Sequence, residues 1–189
     1  MHDVTLSIVP LETRRLVLLP LRQDDAEQIQ RILPHWEIVR YMASVIPWPY
    51  PDDGALTYIR DVALPAMERG EQWHWTLRLR NAPQQIIGVA SLRAGAEDNR
   101  GFWLGVPWQR AGLMSEAAEA VTGYWFDVLQ FDVLRVAKAV DNIGSRRISE
   151  KSGMRCVGVL EKDYVGGRLA SERWEITARE WRDRRSSSG

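Results

Sequence analysis

Apolar positions in the first third of the chain predict one strand and two helices. Residues 13–20 form an apolar run that suits a strand. Apolar residues then recur at helical spacing over residues 24–33 and again over residues 52–67. Pro65 lies inside the second stripe and should end or kink that helix. Residues 44–54 contain three prolines, so they can form neither a regular helix nor a central strand.

The middle of the chain changes to strand periodicity. Residues 73–79 alternate, with the tryptophans on one side and His74 on the other. Asn81-Ala82-Pro83 is a turn signal, and residues 86–92 form a second apolar run, so the two runs predict a hairpin. A third run covers residues 101–106.

The last third alternates helical and strand patterns, which predicts a single mixed α/β domain over residues 1–181. Residues 182–189 are charged and then serine-rich, and we expect them to form a frayed tail. The predicted helix, strand, helix and closing strand pair cover residues 113–128, 133–140, 142–152, 156–160 and 169–177.

Composition narrows the class of protein. Hydrophobic residues make up 45% of the 189 residues and charged residues 26%, as in ordinary globular domains. The formal net charge is zero, which argues against a general nucleic-acid or anionic-membrane binder. A single cysteine excludes an internal disulfide, and no apolar stretch is long enough to span a bilayer. We therefore expect a soluble, cytoplasmic protein.

Residues 101–120 carry the first chemical signal. Pro107 ends the preceding strand, because it cannot donate to a strand ladder. Gly112 then allows a close turn into the next helix, whose first amides point outward without partners. That arrangement favours an anion such as a pyrophosphate, and Arg110 adds positive charge nearby. The same strand, turn and helix occur in many α/β proteins, so this feature alone is weak evidence for a ligand site.

The second signal lies about thirty residues later. Asn142 is a good helix N-cap and Gly153 a good C-cap, and capping alone could explain both residues.

The two segments together, in this order and at this spacing, resemble the GNAT acetyltransferases. Residues 142–154 are similar to the family's N-x-x-S/A helix that ends in K-x-G-F. The opening residues 11–18, Trp103-Leu104-Gly105 and residues 145–154 resemble the branch of ribosomal-protein N-terminal acetyltransferases (RimJ/RimL type). The family's Q/R-x-x-G-x-G/A motif is matched by Gln109-Arg110-Ala111-Gly112-Leu113-Met114.

The resemblance implies a fold and a co-substrate. The fold is a mixed, mostly antiparallel sheet of six to seven strands, splayed at the cofactor site and flanked by four to five helices. The co-substrate is acetyl-CoA, and no metal is expected. The backbone of Leu104, Gly105 and Val106 would pair with the pantetheine arm, and Asn142 would hydrogen-bond it. The backbone amides expected to hold the pyrophosphate belong to Gln109, Arg110, Ala111, Gly112, Leu113, Met114 and Ser115.

The sequence departs from the family pattern at three positions. Met114 replaces a glycine or alanine, which crowds the phosphates unless its side chain turns aside. Ser149 replaces a tyrosine that acts as general acid in many relatives, so Ser145 is the predicted group that stabilises the thiolate. Val106 replaces a glutamate, which leaves the base unassigned. Glu97 is the candidate substitute, and Glu116 and His74 are the alternatives. A solvated surface position or a helix-dipole interaction would also explain the two glutamates.

The acceptor is predicted only as a class. In this fold, residues 46–51 and the helix over 52–67 should form one wall of the acceptor site. Trp36 and Trp48 lie in proline-rich surroundings that favour loops, and with Tyr50 and His74 they are the candidate acceptor-binding residues.

The acceptor is a primary amine: a peptide or protein N-terminus, an amino acid or another small amine. An α-amine has a pKa near 8, against about 10.4 for lysine, so it is more often neutral and needs a weaker base. A different class, a non-catalytic acyl-CoA-binding or sensing domain on the same fold, fits the missing carboxylate. The oligomeric state is left open, with a homodimer as one alternative.

Overall fold

Two sheets organise the chain, which this computed structural model describes over residues 8–95 and 97–187. The first sheet has five strands in the order β1-β2-β3-β4-β5, and the second has three in the order β6-β8-β7. All paired neighbours are antiparallel. The strands are β1 (Leu11–Glu12), β2 (Leu16–Pro20), β3 (Gln72–Leu79), β4 (Gly88–Arg93), β5 (Arg100–Leu104), β6 (Val133–Ala139), β7 (Arg155–Tyr164) and β8 (Gly167–Thr177).

Helices cover both faces of the first sheet and part of the second. The helices are α1 (Ala26–Ile32), α2 (Trp36–Val39), α3 (Gly54–Tyr58), α4 (Leu64–Glu68), α5 (Leu113–Gly123), α6 (Ile143–Lys151) and α7 (Ala178–Ser187). Two π-helical segments, Ile59–Ala63 and Tyr124–Val128, continue α3 and α5, and the 3₁₀ turns are Gln23–Asp25 and Val106–Trp108.

The alternation along β3 divides the apolar residues into two cores. Trp73, Trp75 and Leu77 are buried in a core that includes α5. On the opposite face, Val89 of β4 belongs to a second core built with α1, α2 and α3. Side chains on successive strand positions point to opposite faces, so His74 lies on the face of the second core.

The second helical stripe continues past Pro65. The stripe runs as α3, the π-helical segment Ile59–Ala63 and then α4, with Pro65 in the first turn of α4. Proline is tolerated in a first turn because its missing N–H would lack an intrahelical acceptor there. The wider π turn supplies the local adjustment.

Two expectations from the sequence are wrong. Residues 182–187 are not frayed, because they belong to α7, whose Arg184 pairs with Glu119 at 2.9 Å. Its Trp181 is 1% exposed, so burial of this ring holds the helix against α5. Residues 188–189 lie outside the described residues. Trp36 does not lie in a loop, since it begins the short helix α2.

The predicted mixed α/β class with a mostly antiparallel sheet is confirmed. The described residues form eight strands rather than six to seven, partly because residues near the start supply the two-residue β1. No helix in the described ranges is both long and apolar enough to cross a membrane. The same residues include no cluster of three or more His, Cys, Asp or Glu side chains suited to a metal ion. The single-domain boundary at residue 181 stays a prediction.

Candidate active site

The two sheets meet at β5 and β6, which are joined by a backbone hydrogen bond where β5 begins. The amide of Asn99 donates to the carbonyl of Arg135 at 2.7 Å, just before β5 begins. Farther along, Lys138 Nζ lies 4.5 Å from the centre of the Phe102 ring. The second contact lies farther along both strands than the first, so β5 and β6 run in the same direction. Within the described residues the two strands form no ladder, so their facing backbone edges beyond Asn99 are not hydrogen-bonded to each other, and we call this unpaired region the gap.

The segment that leaves the open end of β5 is a glycine loop, Gln109–Gly112. Two of its residues have left-handed backbone conformations, Arg110 with φ 64° and Gly112 with φ 76°. Gly112 is the N-cap of α5, and a Cβ there would lie 3.4 Å from Arg15 Nη2. Glycine adopts this conformation without steric cost, so the loop can turn directly into the helix.

The glycine loop and the first turn of α5 present unpaired amides. Within the described residues, none of the backbone N–H groups from Arg110 to Ser115 donates a hydrogen bond, whereas Glu116 N donates to Gly112 O at 3.2 Å. Such amides, together with the positive end of the helix dipole, bind anions. The unpaired amides match the geometry that the sequence predicted, and the anion site itself stays a prediction.

Met114 does not crowd this surface. Its side chain is 7% exposed and belongs to the core under α5, as does that of Leu113. The methionine that replaces the family's small residue thus packs into the core, and it leaves the outward side of the first turn of α5 uncovered.

Glu116 has a structural role. Its carboxylate accepts from Thr13 Oγ1, from Arg15 N at 2.6 Å and from Arg15 Nε at 2.8 Å. Burial opposes ionisation, but these hydrogen bonds outweigh it and lower the pKa of Glu116. Arg15 also donates to Ala111 O at 2.9 Å, so the pair fastens the glycine loop to the first strands. Nothing in the sequence pattern pointed to Arg15.

The backbone predicted to bind pantetheine is partly occupied. Gly105 N donates to Ile87 O at 2.8 Å, so Leu104 presents its polar groups on the opposite edge, toward the gap. Gln109 Nε2 donates to Leu104 O at 2.9 Å. Gly105 O and Val106 O accept from the following turn. A ligand that binds the Leu104 carbonyl must therefore displace the Gln109 side chain.

Helix α6 brings its N-cap and two serines to the other side of the gap. Asn142 Oδ1 accepts from Ser145 N at 3.2 Å, which leaves the Asn142 amide group without a partner among the described residues. Ser149 is fully buried, and its hydroxyl has no hydrogen-bond partner in the same ranges. Ser145 is only half-buried. The structure thus draws attention to Ser149, which the sequence had set aside in favour of Ser145.

The face of β3 and β4 that points away from α5 is covered by a polar group of side chains. We name this group the tyrosine face, and its members are Tyr50, Tyr58, His74 and Arg93. The rings of His74 and Tyr58 meet edge to face at 6.2 Å, and His74 Nε2 lies 2.8 Å from Gln72 Oε1. Burial, reinforced by Arg93, lowers the pKa of His74 to about 4. Burial, with Tyr58 nearby, raises the pKa of Tyr50 to about 12. Both side chains are neutral near pH 7.

The other predicted acceptor residues form an exposed aromatic edge. Trp36 and Trp48 pack with ring centres 5.6 Å apart, and both remain about two-fifths exposed. Tyr58 and Arg93 were missed from the sequence, because neither stands out from the surrounding helix and strand patterns.

Glu97 lies away from the glycine loop. It precedes the start of β5, whereas the loop follows its end, and its side chain is 82% exposed. It pairs with Arg173 Nη2 of β8 at 3.4 Å. Its assignment as a base stays a prediction.

Comparison with known proteins identifies the family. A family model described as an acetyltransferase (GNAT) domain matches residues 15–155. YoaA of Bacillus subtilis (strain 168), named an uncharacterized N-acetyltransferase, is 29% identical over 163 residues, covering 80% of this chain and 86% of YoaA.

Solved structures share the fold. RimL, a ribosomal L7/L12 α-N-protein acetyltransferase solved with coenzyme A, superposes with a TM-score of 0.76 at 15% identity, covering 89% of this chain and 98% of RimL. Mycobacterium smegmatis RimJ with CoA-disulfide gives a TM-score of 0.76 at 17% identity, covering 93% and 90%. The resemblance read from the glycine loop and the Asn142 helix is confirmed: the chain belongs to the GNAT acetyltransferase family.

Proposed function

We propose that this protein transfers an acetyl group from acetyl-CoA to a primary α-amine by direct attack of the amine on the thioester. The observation that carries the proposal is the opening between β5 and β6 beside the unpaired amides of the glycine loop. A thin extended chain ending in phosphates fits this combination, because a gap between strands accepts the chain and a helix start accepts the phosphates. RimL and RimJ, which share the fold, were solved with forms of CoA.

The cofactor contacts follow from this placement. The pyrophosphate takes hydrogen bonds from the unpaired amides of residues 110–115, with Arg110 contributing charge, whereas Gln109 N already donates to Val106 O. The pantetheine arm pairs with the backbone at Leu104–Val106 and with the free amide of Asn142. Ser145 and the unpartnered Ser149 are the two hydroxyls on α6 that could donate to the sulfur.

The acceptor enters over the tyrosine face. A buried neutral His74 offers a ring nitrogen to an amine N–H without adding charge. Trp36, Trp48 and Tyr50 supply an apolar wall at the entrance. Glu116 is engaged by Thr13 and Arg15, so it is not a free base. An amine that is already largely neutral suits such a site, which favours an α-amine over a lysine side chain.

The test combines binding with turnover. Calorimetry with acetyl-CoA measures cofactor affinity, and a thiol-release assay then compares three acceptors: a short peptide with a free N-terminus, the N-blocked peptide with one lysine, and a free amino acid. We expect binding, with thiol release fastest for an α-amine. Preference for the lysine peptide would contradict the acceptor class. Binding without thiol release from any amine would favour the non-catalytic acyl-CoA sensor.

A further inference from the structure

Two buried cations line the gap between β5 and β6. Lys138 of β6 is 6% exposed and Arg100 of β5 is 1% exposed. Arg100 donates to Thr122 Oγ1 at 2.6 Å and contacts Met154 Sδ at 3.6 Å, while its Nε is unpartnered. Lys138 Nζ faces the Phe102 ring and makes no hydrogen bond or ion pair within the described residues. Buried charges are normally paired, so this arrangement is unusual.

The nearby acids are already engaged. Asp98 accepts from Lys162 Nζ at 3.0 Å and from Ala137 N at 3.2 Å. Glu172, the cross-strand neighbour of Lys138 on β8, accepts from Arg146 Nε at 2.7 Å and Trp174 Nε1 at 3.0 Å.

The surrounding charges disfavour the ammonium of Lys138. Burial, followed by repulsion from Arg100 and to a lesser extent from Lys162, lowers the pKa of Lys138 to about 7, although Asp98 acts in the opposite direction. An apolar side chain of similar length would avoid this cost. The gap therefore holds an amine that makes no hydrogen bond or ion pair within the described residues and is only partly charged near pH 7.

The proposed reaction generates a negative charge in the same gap. When the amine nitrogen bonds to the thioester carbon, the carbon–sulfur bond breaks and its electron pair goes to sulfur. The leaving thiolate is stabilised by a cation aimed at it in a site that excludes water. Phe102 holds the Lys138 ammonium at the edge that faces β5, where the pantetheine arm would lie.

We propose that Lys138 is a catalytic residue of acetyl transfer, whose ammonium contacts the CoA sulfur and donates a proton to the departing thiolate. This inference rests on the proposed function. The products are the amide, CoA with a protonated thiol, and a neutral Lys138, which takes up a proton from solvent before the next turnover. The proton lost by the acceptor nitrogen also goes to solvent.

The variant Lys138→Met tests the proposal, with Lys151→Met as the matched control. Lys151 is an exposed lysine in the last turn of α6, so its loss should change neither turnover nor CoA binding. Methionine matches the length of lysine and suits a buried site. We expect Lys138→Met to fold with a higher Tm, because it removes an unpaired buried charge, and to lose ~100-fold in kcat, the size of a general-acid effect.

A second readout reports on the sulfur itself. The thiol of bound CoA is titrated through its ultraviolet thiolate absorbance in the wild type and in each variant. Lys138→Met should raise the bound thiol's pKa by about one unit or more, whereas Lys138→Arg, which keeps the cation, should not. A merely structural lysine would leave this pKa unchanged. In the wild type, kcat should fall as pH rises through the pKa of Lys138, and the methionine variant should lack this alkaline fall.

Three results would overturn the assignment. An unchanged bound-thiol pKa in Lys138→Met, with CoA still bound, rejects Lys138 alone and leaves the proposed function standing. Stable acetylation of Lys138, seen as an acetylated peptide by mass spectrometry, would make the residue a nucleophile rather than an acid. Failure of the wild type to bind CoA at all would reject the proposed function and this inference together.

Discussion

The glycine loop and the tyrosine face offer different chemical groups to a ligand. The loop offers backbone amides held by Gly112 and by the Arg15–Glu116 pair, and the adjacent Met114 turns into the core. The tyrosine face offers side chains, with its imidazole and phenols kept neutral by burial. Backbone groups suit a ligand with fixed chemistry such as CoA. Side chains, which substitution alters one at a time, suit a variable acceptor.

The largest expected effect is a loss of folding stability at acid pH, caused by His74 of the tyrosine face. His74 has a folded pKa near 4 against about 6.5 when unfolded, so the unfolded chain binds more protons between these values. Stability should therefore fall as pH drops from about 6.5 to about 4, by roughly 3 kcal/mol. Urea denaturation at pH 7 and pH 4 measures this loss, and His74→Gln should remove most of it.

The matched control for that experiment is His35→Gln. His35 is exposed, and its Nδ1 accepts from Glu37 N at the start of α2. This variant should leave the acid-induced loss in place. An equal loss in the His74→Gln variant and the wild type would mean that other groups cause it.

The second prediction concerns a substitution that should disrupt the glycine loop. Gly112→Val places a β-branched residue at φ 76°, where such residues are strained. The loop should shift, and the affinity for acetyl-CoA should fall ~100-fold, which corresponds to about 2.7 kcal/mol. Calorimetry measures the affinity, and circular dichroism checks the fold. Gly70→Val is the control, since Gly70 also has a positive φ but lies after α4, away from the loop. Equal affinities in the two variants would show that the loop does not bind the cofactor.

The third prediction sharpens the role of Glu116. Glu116→Gln keeps the shape but weakens hydrogen bonds to a charged group, so unfolding should become easier by about 1–2 kcal/mol. The KM for acetyl-CoA should rise modestly, because the loop loses its anchor, while kcat stays within a few-fold. A collapse of kcat at unchanged KM would instead assign Glu116 as the base.

The smallest effect is expected at Glu97. Its pairing with Arg173 is exposed, and exposed pairs contribute about 1 kcal/mol or less. Glu97→Gln should therefore change stability by less than that and kcat by less than ~3-fold. A hundredfold loss of kcat, with CoA affinity retained, would restore Glu97 as the catalytic base.

Local patterns predicted most of the helices and strands, because the periodicity and the capping of an element depend on residues that are close together in the sequence. The run at 133–140 became β6, and the Asn142 cap became the start of α6 with the expected hydrogen bond. The frayed tail failed because its order comes from Arg184 and Trp181 meeting α5, a contact between distant parts of the chain. From the sequence alone, the charged residues of this last helix look like a solvated tail, because the sequence does not show that Arg184 pairs with Glu119.

The sequence by itself determined the fold class, the glycine loop and the family, since these depend on periodicity, on one glycine that a left-handed turn requires, and on the spacing of short motifs. Only the tertiary structure decided which charged groups stand unpaired. Lys138 lies in an apolar strand pattern, and nothing local shows that Asp98 and Glu172 are already engaged. Burial and the identity of a partner are properties of the packed chain, and they set the charge of a side chain.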